Sequence, residues 1–298
     1  LLMQAVDLSH ITIDQALHPV LVEKDVQLSV LRTDKIHPVI SGNKWFKLRY
    51  YIEDALKNKK TTLVTKGGAW SNHIVATAAA CKYYNLKSIG IIRGEKPANL
   101  SATLLEAMSY GMELIYISRK NFSENKIDQW LNHPENYFVD YGGYGKHGAD
   151  GASTMLEHCH KVEYSHILCA VGSGTMLAGL INAAQPQTNI TGISSMKNNH
   201  SLDYEVRQLL KSKETAFNLV HDYHFGGFAK HNTELTTFMN SFYQLTNIPT
   251  DIVYTGKLSF AIIDLAQKNY FPPGSKLLAI HSGGLQGNAS LSKGTLLF

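Results

Sequence analysis

The sequence predicts an α/β protein with largely parallel, buried sheets, and two observations carry that prediction. Apolar runs of strand length alternate with segments of helical period along most of the chain. Polar or glycine-rich clusters recur where those strands end: GGAWSNH from Gly67, VGSGT from Val171, YTGK from Tyr254 and HSGG from His281. Ligands of an open parallel sheet bind outside the carboxyl ends of its strands. Several separated loops of this chemistry therefore predict one shared site.

The elements follow in order. SGNKWFKL, from Ser41 to Leu48, places turn-forming residues before Lys44 and leads into a helix. The basic run Lys57-Asn58-Lys59-Lys60 sits where that helix should end, because cations complement the negative end of the helix dipole. TTLVTKGG is a short β-rich run closed by glycines, and SNHIVATAAACKYYNL an alanine-rich helix. KSIGIIRG is a strand, ANLSATLLEAMSYG a helix ending at Gly111, and MELIYIS a strand. Further on, SHILCAVG and NITGISS are strands on either side of the helix GTMLAGLINAAQ. SFAIIDLAQKNY reads as a helix and KLLAIHSGG as a strand ending in glycines. No internal repeat or low-complexity segment is present, and composition marks no domain boundary.

The totals narrow the class. At 298 residues, 44% hydrophobic and 17% charged, the chain can bury a sizeable core in one or two domains and is not disordered. The net charge of +4 comes from scattered basic residues that form no phosphate-binding stripe, so nucleic acid is not an expected partner. Of the three cysteines, Cys81 and Cys169 lie in apolar surroundings and read as buried hydrophobes in a reducing compartment. The opening LLMQAVDLSHITIDQ lacks the pattern of a signal peptide, and no apolar stretch approaches the roughly 20 residues of a membrane helix. A cytoplasmic protein without membrane association is the expectation.

HILCAVGSGTMLAGL is the strongest local signal. A buried strand runs into Gly172-Ser173-Gly174-Thr175 and then an apolar helix. Inward-pointing backbone N–H groups, the helix dipole and the hydroxyls of Ser173 and Thr175 make a cup for a phosphate dianion. It is neither a Walker A loop nor GxGxxG, because Leu177 stands at the third glycine's place. An ordinary strand–helix turn is the competing reading. Ser71-Asn72-His73 repeats the geometry, either as a simple cap or as a second anion site for a substrate carboxylate. Lys44, alone, is a solvated turn lysine; in a pocket that lowers its pKa it can form an imine. Two helix-start anion sites and such a lysine fit a phosphate-bearing cofactor and an amino acid. LEHCHK tempts a metal reading, but positions two apart in a helix do not share a face, and a solvated helix face accounts for it better. His221 and His224 read as incidental, and His281 as a core or pocket-lining histidine.

Together, SGNKWFKL, GGAWSNH, VGSGT, VYTGK and HSGG, in this order over nearly the whole chain, resemble the pyridoxal-phosphate enzymes of the 1-aminocyclopropane-1-carboxylate deaminase and D-cysteine desulfhydrase family. The resemblance implies the tryptophan-synthase-β-like fold (fold type II): two open, twisted, mostly parallel sheets flanked by helices. It implies a large domain from residues 1–50 and 147–298, a smaller α/β domain inserted at 51–146, and a homodimer. Lys44 would carry pyridoxal phosphate as an imine, with Lys47 near the phosphate and Gly172, Ser173, Gly174 and Thr175 holding it. Ser71, Asn72 and His73 would receive the substrate carboxylate and the cofactor's phenolic oxygen, and Tyr254 would lie in the substrate pocket. Lys44, Ser71 and Tyr254 form the implied catalytic set. Phe228 stands where relatives often carry a lid tyrosine, and Trp70 is a bulky neighbour of Ser71.

Thr255 and Ser282 fall where deaminase-type members carry Glu and Leu, facing the pyridine nitrogen, and both are of the desulfhydrase type. A carboxylate there keeps the nitrogen protonated, whereas a hydroxyl holds that proton weakly and leaves a poorer electron sink. Opening a cyclopropane needs the strong sink; expelling a good leaving group from Cβ needs it less. The expected reaction is therefore β-elimination on a small amino acid, D-cysteine to pyruvate, sulfide and ammonia. The alternatives are 1-aminocyclopropane-1-carboxylate deamination and a pyridoxal-phosphate-binding protein without significant turnover.

Overall fold

The computed structural model describes residues 6–127, 130, 132–159 and 162–298. The described strands are β1 (Ile13–Gln15), β2 (Gln27–Leu31), β3 (Thr62–Gly67), β4 (Lys87–Arg93), β5 (Glu113–Ile117), β6 (Asn136–Val139), β7 (His166–Val171), β8 (Asn189–Ser194), β9 (Asn218–Val220) and β10 (Lys276–Ile280). They form a six-stranded sheet in the order β1-β2-β10-β7-β8-β9 and a four-stranded sheet in the order β5-β4-β3-β6. Every pairing is parallel except that of β1 with β2. This is the α/β architecture of two mostly parallel, helix-flanked sheets.

The strand sequences show why. All six residues of β7, HILCAV, are buried, and a strand covered by helices on both faces loses the alternation of a half-exposed one. One hydrophobic cluster joins the sheets, running from Leu63 and Ile74 through Phe46 and Met155 to Leu278 and Ile280. A second covers the other face of the large sheet, with Leu28, Leu168, Ile193, Ile262 and Leu277. Among the described residues no helix is long and apolar enough to cross a membrane.

Sheet order decides where the site forms. β10 lies between β2 and β7, with Leu278 opposite both Ser29 and Ile167. Three parallel neighbours thus deliver their following segments to one edge: the stretch to Lys44 after β2, His281–Gly284 after β10 and Gly172–Thr175 after β7. In the small sheet, adjacent β3 and β6 deliver Gly67–Ser71 and Tyr141–Gly143. The expected domain boundaries fall within the Asn43–Lys57 helix and at the first residue of the Lys146–Ser153 helix.

Some elements differ from expectation. Lys44 lies inside the first turn of the Asn43–Lys57 helix rather than before it, because Gly42, with φ of +57°, makes the turn one residue earlier. The helix read from Ala98 starts at Ala102, because the Ser101 hydroxyl caps it by accepting from the Leu104 N–H at 3.2 Å. The helix read from Ser259 starts at Thr255. LEHCHK is not a solvated helix face: Thr154–His158 is a 3-10 segment whose Met155 and Leu156 are buried, as is Cys159 after it. His160 lies outside the described residues.

Candidate active site

The converging loops enclose one cavity, lined by Lys44, Lys47, Trp70, Ser71, Asn72, His73, Gly172, Ser173, Gly174, Phe228 and Tyr254. Residues from five separate parts of the sequence are thereby brought together. Thr175, Thr255 and Ser282 do not line it, and each is buried.

The lysine segment is clamped from below. Gly42 donates its N–H to the Thr33 carbonyl at 2.9 Å, and Asn43 donates to the Ser282 carbonyl at 3.2 Å. A Cβ at Gly42 would collide with the Ser282 backbone, so glycine is required both by this approach and by its positive φ. Ser282 therefore supports the Lys44 segment through its backbone. Lys44 Nζ donates to Asn43 Oδ1 at 2.5 Å and sits 5.8 Å from the centre of the Tyr254 ring. Burial depresses its pKa to about 8, with Asp251 opposing the shift. A substantial neutral-amine fraction near physiological pH is what a nucleophile or general base needs.

Lys47 is buried, donates to the Gly142 carbonyl at 3.0 Å, and has its pKa held well below the usual lysine range by burial and then by the Lys44 charge. No acidic side chain lines the cavity among the described residues. Two lysines without a carboxylate in the cavity leave a positive potential that an anionic ligand relieves.

Two helices begin here. The Thr175–Ala183 helix follows Gly174, which is left-handed with φ of +79°, and a Cβ there would lie 2.7 Å from Val206 Cγ2. Ser173 Oγ and Thr175 Oγ1 lie 3.0 Å apart and bond each other. The Asn72–Tyr83 helix follows Ser71, which holds the capping position without making a side-chain cap bond. Asn72 Oδ1 and His73 Nδ1 are buried without a hydrogen-bond partner. The histidine tautomer follows from its neighbours. Thr65 Oγ1 donates to the Val139 carbonyl at 2.7 Å, so it accepts from His73 Nε2–H at 2.9 Å. Nδ1 is then an acceptor, and burial and the nearby Lys47 and Lys44 charges keep the ring neutral. The His73 side chain cannot donate to a carboxylate; only its backbone N–H at the helix start can.

Tyr254 and Thr255 are placed by Asp251, a fully buried carboxylate that no sequence motif singles out. Asp251 Oδ2 accepts from the N–H groups of Val253 (2.9 Å) and Tyr254 (3.0 Å). Its Oδ1 accepts from Thr255 N–H at 2.8 Å and from the Thr255 hydroxyl at 2.6 Å. Thr255 Oγ1 in turn accepts from Asp251 N–H at 2.7 Å. The hydroxyl proton of Thr255 is thus committed to Asp251. The Tyr254 phenol stays protonated, since burial, Tyr141 and Asp251 all push its pKa well above the usual value. Its ring packs on Gly172, where a Cβ would meet Tyr254 Oη at 3.1 Å.

Tyr141 and Gly142 also line the cavity and were missed in the sequence. The signal was the glycine pair after a strand in VDYGGYG, the same signature as in the loops that were found. His281 is not pocket lining. It is buried behind β10, with Nε2 donating to the Pro249 carbonyl at 2.7 Å and Nδ1 3.2 Å from Asp34.

The chain matches the family model of pyridoxal-phosphate-dependent enzymes over residues 23–283. A putative 1-aminocyclopropane-1-carboxylate deaminase of Thermotoga maritima is 30% identical over 284 residues, covering 87% of this chain and 88% of that one. The D-cysteine desulfhydrase of Klebsiella pneumoniae is 27% identical over 289 residues, covering 87% of each chain. The solved structure of a homologue of the deaminase superposes with a TM-score of 0.81 at 27% identity, covering 94% of this chain and 90% of that one. The residues present fit the cofactor. A glycine-lined helix start and buried Lys47 offer donors and charge to a phosphate, Lys44 offers an amine, and the orphaned Asn72 and His73 atoms offer polar partners.

Proposed function

This chain belongs to the pyridoxal-phosphate-dependent enzymes, in the family of 1-aminocyclopropane-1-carboxylate deaminases and D-cysteine desulfhydrases, and from that premise we propose that it catalyses β-elimination on a small amino acid, D-cysteine foremost. The observation that carries the reading is the absence of any acidic side chain from the cavity wall among the described residues. Asp251, the nearby buried carboxylate, has its oxygens taken up by four donors of its own turn. Among the described residues, no acidic side chain on the cavity wall is left to hold a proton on the pyridine nitrogen, which favours loss of a good leaving group such as sulfide over opening of a carbon ring.

In this reading Lys44 holds the cofactor through its amine, Gly172 to Thr175 and Lys47 hold the phosphate, and Thr255 and Ser282 support the ring from behind. Pyridoxal phosphate, when bound, supplies the sink for the electron pair left on the substrate's Cα. Ser71, Asn72 and the backbone of His73 hold the substrate carboxylate. Lys44 takes the Cα proton at Nζ, and the Tyr254 phenol, kept protonated by burial, faces the leaving group. The sulfur departs from Cβ, and with one water the balance is pyruvate, hydrogen sulfide and ammonia. Trp70 and Phe228 bound the space for the side chain. Movement of the 51–146 segment against the remainder would close the site, and the working form would be a homodimer in the cytoplasm.

The test is product analysis of the loaded enzyme with D-cysteine, L-cysteine and 1-aminocyclopropane-1-carboxylate supplied separately. Sulfide and pyruvate in equal amounts from D-cysteine are expected. A four-carbon keto acid formed faster from the cyclopropane would replace the proposal with the deaminase.

A further inference from the structure

Lys257 is the charged residue of VYTGK, and the chemistry above gives it no role. It is fully buried, in the first turn of the Thr255–Gln267 helix. Burying an ammonium is costly unless it is paired or fully hydrogen-bonded, and no carboxylate lies within ion-pair distance of this one among the described residues. Its Nζ instead donates to three backbone carbonyls: His224 at 2.8 Å, Gly227 at 2.8 Å and Ser195 at 3.5 Å. Ser195 follows β8, while His224 and Gly227 belong to the loop that carries Phe228.

That loop needs a clamp. Phe225, Gly226, Gly227 and Ala229 all have positive φ, of 51°, 93°, 121° and 55°. For Phe225 and Ala229 this is a conformation that persists only when the surroundings over-determine it. The His224 side chain supplies part of the constraint, its Nδ1 accepting from Gly226 N–H at 2.9 Å, so His224 is not incidental. The Gly227 and Lys230 N–H groups donate to the His224 and Gly227 carbonyls at 3.0 and 3.1 Å, and Lys257 adds a charged donor that draws both of these carbonyls onto one group. Phe228 comes directly after. Its ring lies against Tyr254, centroids 6.2 Å apart with planes inclined at 66°, and it forms one wall of the cavity. Tyr254 and Lys257 leave the same helix start, three residues apart.

We propose that Lys257 is a positioning residue for the reaction: its ammonium gathers the Ser195, His224 and Gly227 carbonyls and so holds Phe228 against Tyr254 as the wall of the substrate cavity. The inference rests on the proposed function only for the amino acid used in the titration.

The test is Lys257→Met in the cofactor-loaded enzyme, read by amide hydrogen exchange and by substrate saturation. Exchange across 224–229 should quicken roughly tenfold, the loss of about one net hydrogen bond, with the Thr255–Gln267 helix and the visible absorbance of bound cofactor unchanged. KM should rise by a similar factor while kcat stays within about threefold, because the wall shapes binding and leaves Lys44 in place. Native exchange together with native KM would overturn the proposal. Where the methionine variant does not fold, Lys257→Ala decides. Ammonium chloride, but not sodium chloride, should restore the protection of 224–229. Failure of ammonium to do so, through an indifferent loop or an unrescued fold, would overturn it. Loop protection is independent of turnover, so a loosened loop in an enzyme that ignores D-cysteine would remove the substrate assignment and leave Lys257 its role.

Discussion

Two helices begin at the same cavity, and they are finished differently. At the Thr175 start the backbone is braced from outside: Gly174 is left-handed against Val206, and the Ser173 and Thr175 hydroxyls bond each other. At the Ser71 start the polar atoms are left open, since Ser71 makes no cap bond and Asn72 Oδ1 and His73 Nδ1 have no partner. Trp70 beside them is 43% exposed. A braced cup suits a ligand that stays, because its donors are fixed before binding. The two open side-chain atoms are acceptors, so what this start offers a passing carboxylate is the Ser71 hydroxyl and the backbone N–H groups of the helix start. The asymmetry supports the proposed division, with cofactor phosphate at one start and substrate carboxylate at the other.

Substitutions sharpen that contrast to different degrees. Lys44→Ala removes the group on which both starts converge, so product formation should fall by ~1000-fold or more. Circular dichroism should stay native, since the lysine side chain supports no other element. Lys47→Met acts on the braced side alone. The cofactor dissociation constant, followed by visible absorbance, should rise ~10- to 100-fold for the loss of a charge-assisted hydrogen bond. The cofactor-free chain should become more stable by about 1 kcal/mol or more, because burying an ammonium with one carbonyl partner and no carboxylate, beside the Lys44 charge, is costly. Ser71→Ala acts on the open side and should raise KM about tenfold without loosening the cofactor.

The smallest effect is on stability against pH. Lys44 titrates at about 8 in the folded chain, below its ordinary 10.5. Between these values the unfolded chain binds more protons than the folded one, so stability rises with pH across this window. Denaturant titrations of the cofactor-free protein from pH 7.5 to 10 should record the rise, and Lys44→Ala should flatten it.

The sequence reveals the buried parallel strands well, because β7 and β8 are apolar runs closed by turn signals. The edge strands of the large sheet escape it. β1 and β9 are each three residues long, and neither contains a buried residue, so no period can form. The lysine and the two helix starts were legible because glycine and small polar residues after a strand have few other uses. Asp251 was not, since its role comes from the folding back of the next four residues onto its carboxylate. Lys257 stood within a recognised motif, yet its function depends on carbonyls roughly 30 and 60 residues earlier, and carbonyls leave no mark in a sequence.

The most direct measurement is a parallel titration of Gly174→Ala and Ser71→Ala, with pyridoxal phosphate and then with D-cysteine. A methyl group at Gly174 strains a left-handed residue and presses on Val206, so cofactor affinity should fall in that variant. KM should be near native once it is saturated. In Ser71→Ala cofactor affinity should be native and KM raised. The same constant shifting in both variants would contradict the division of the cavity between a held cofactor and a passing substrate.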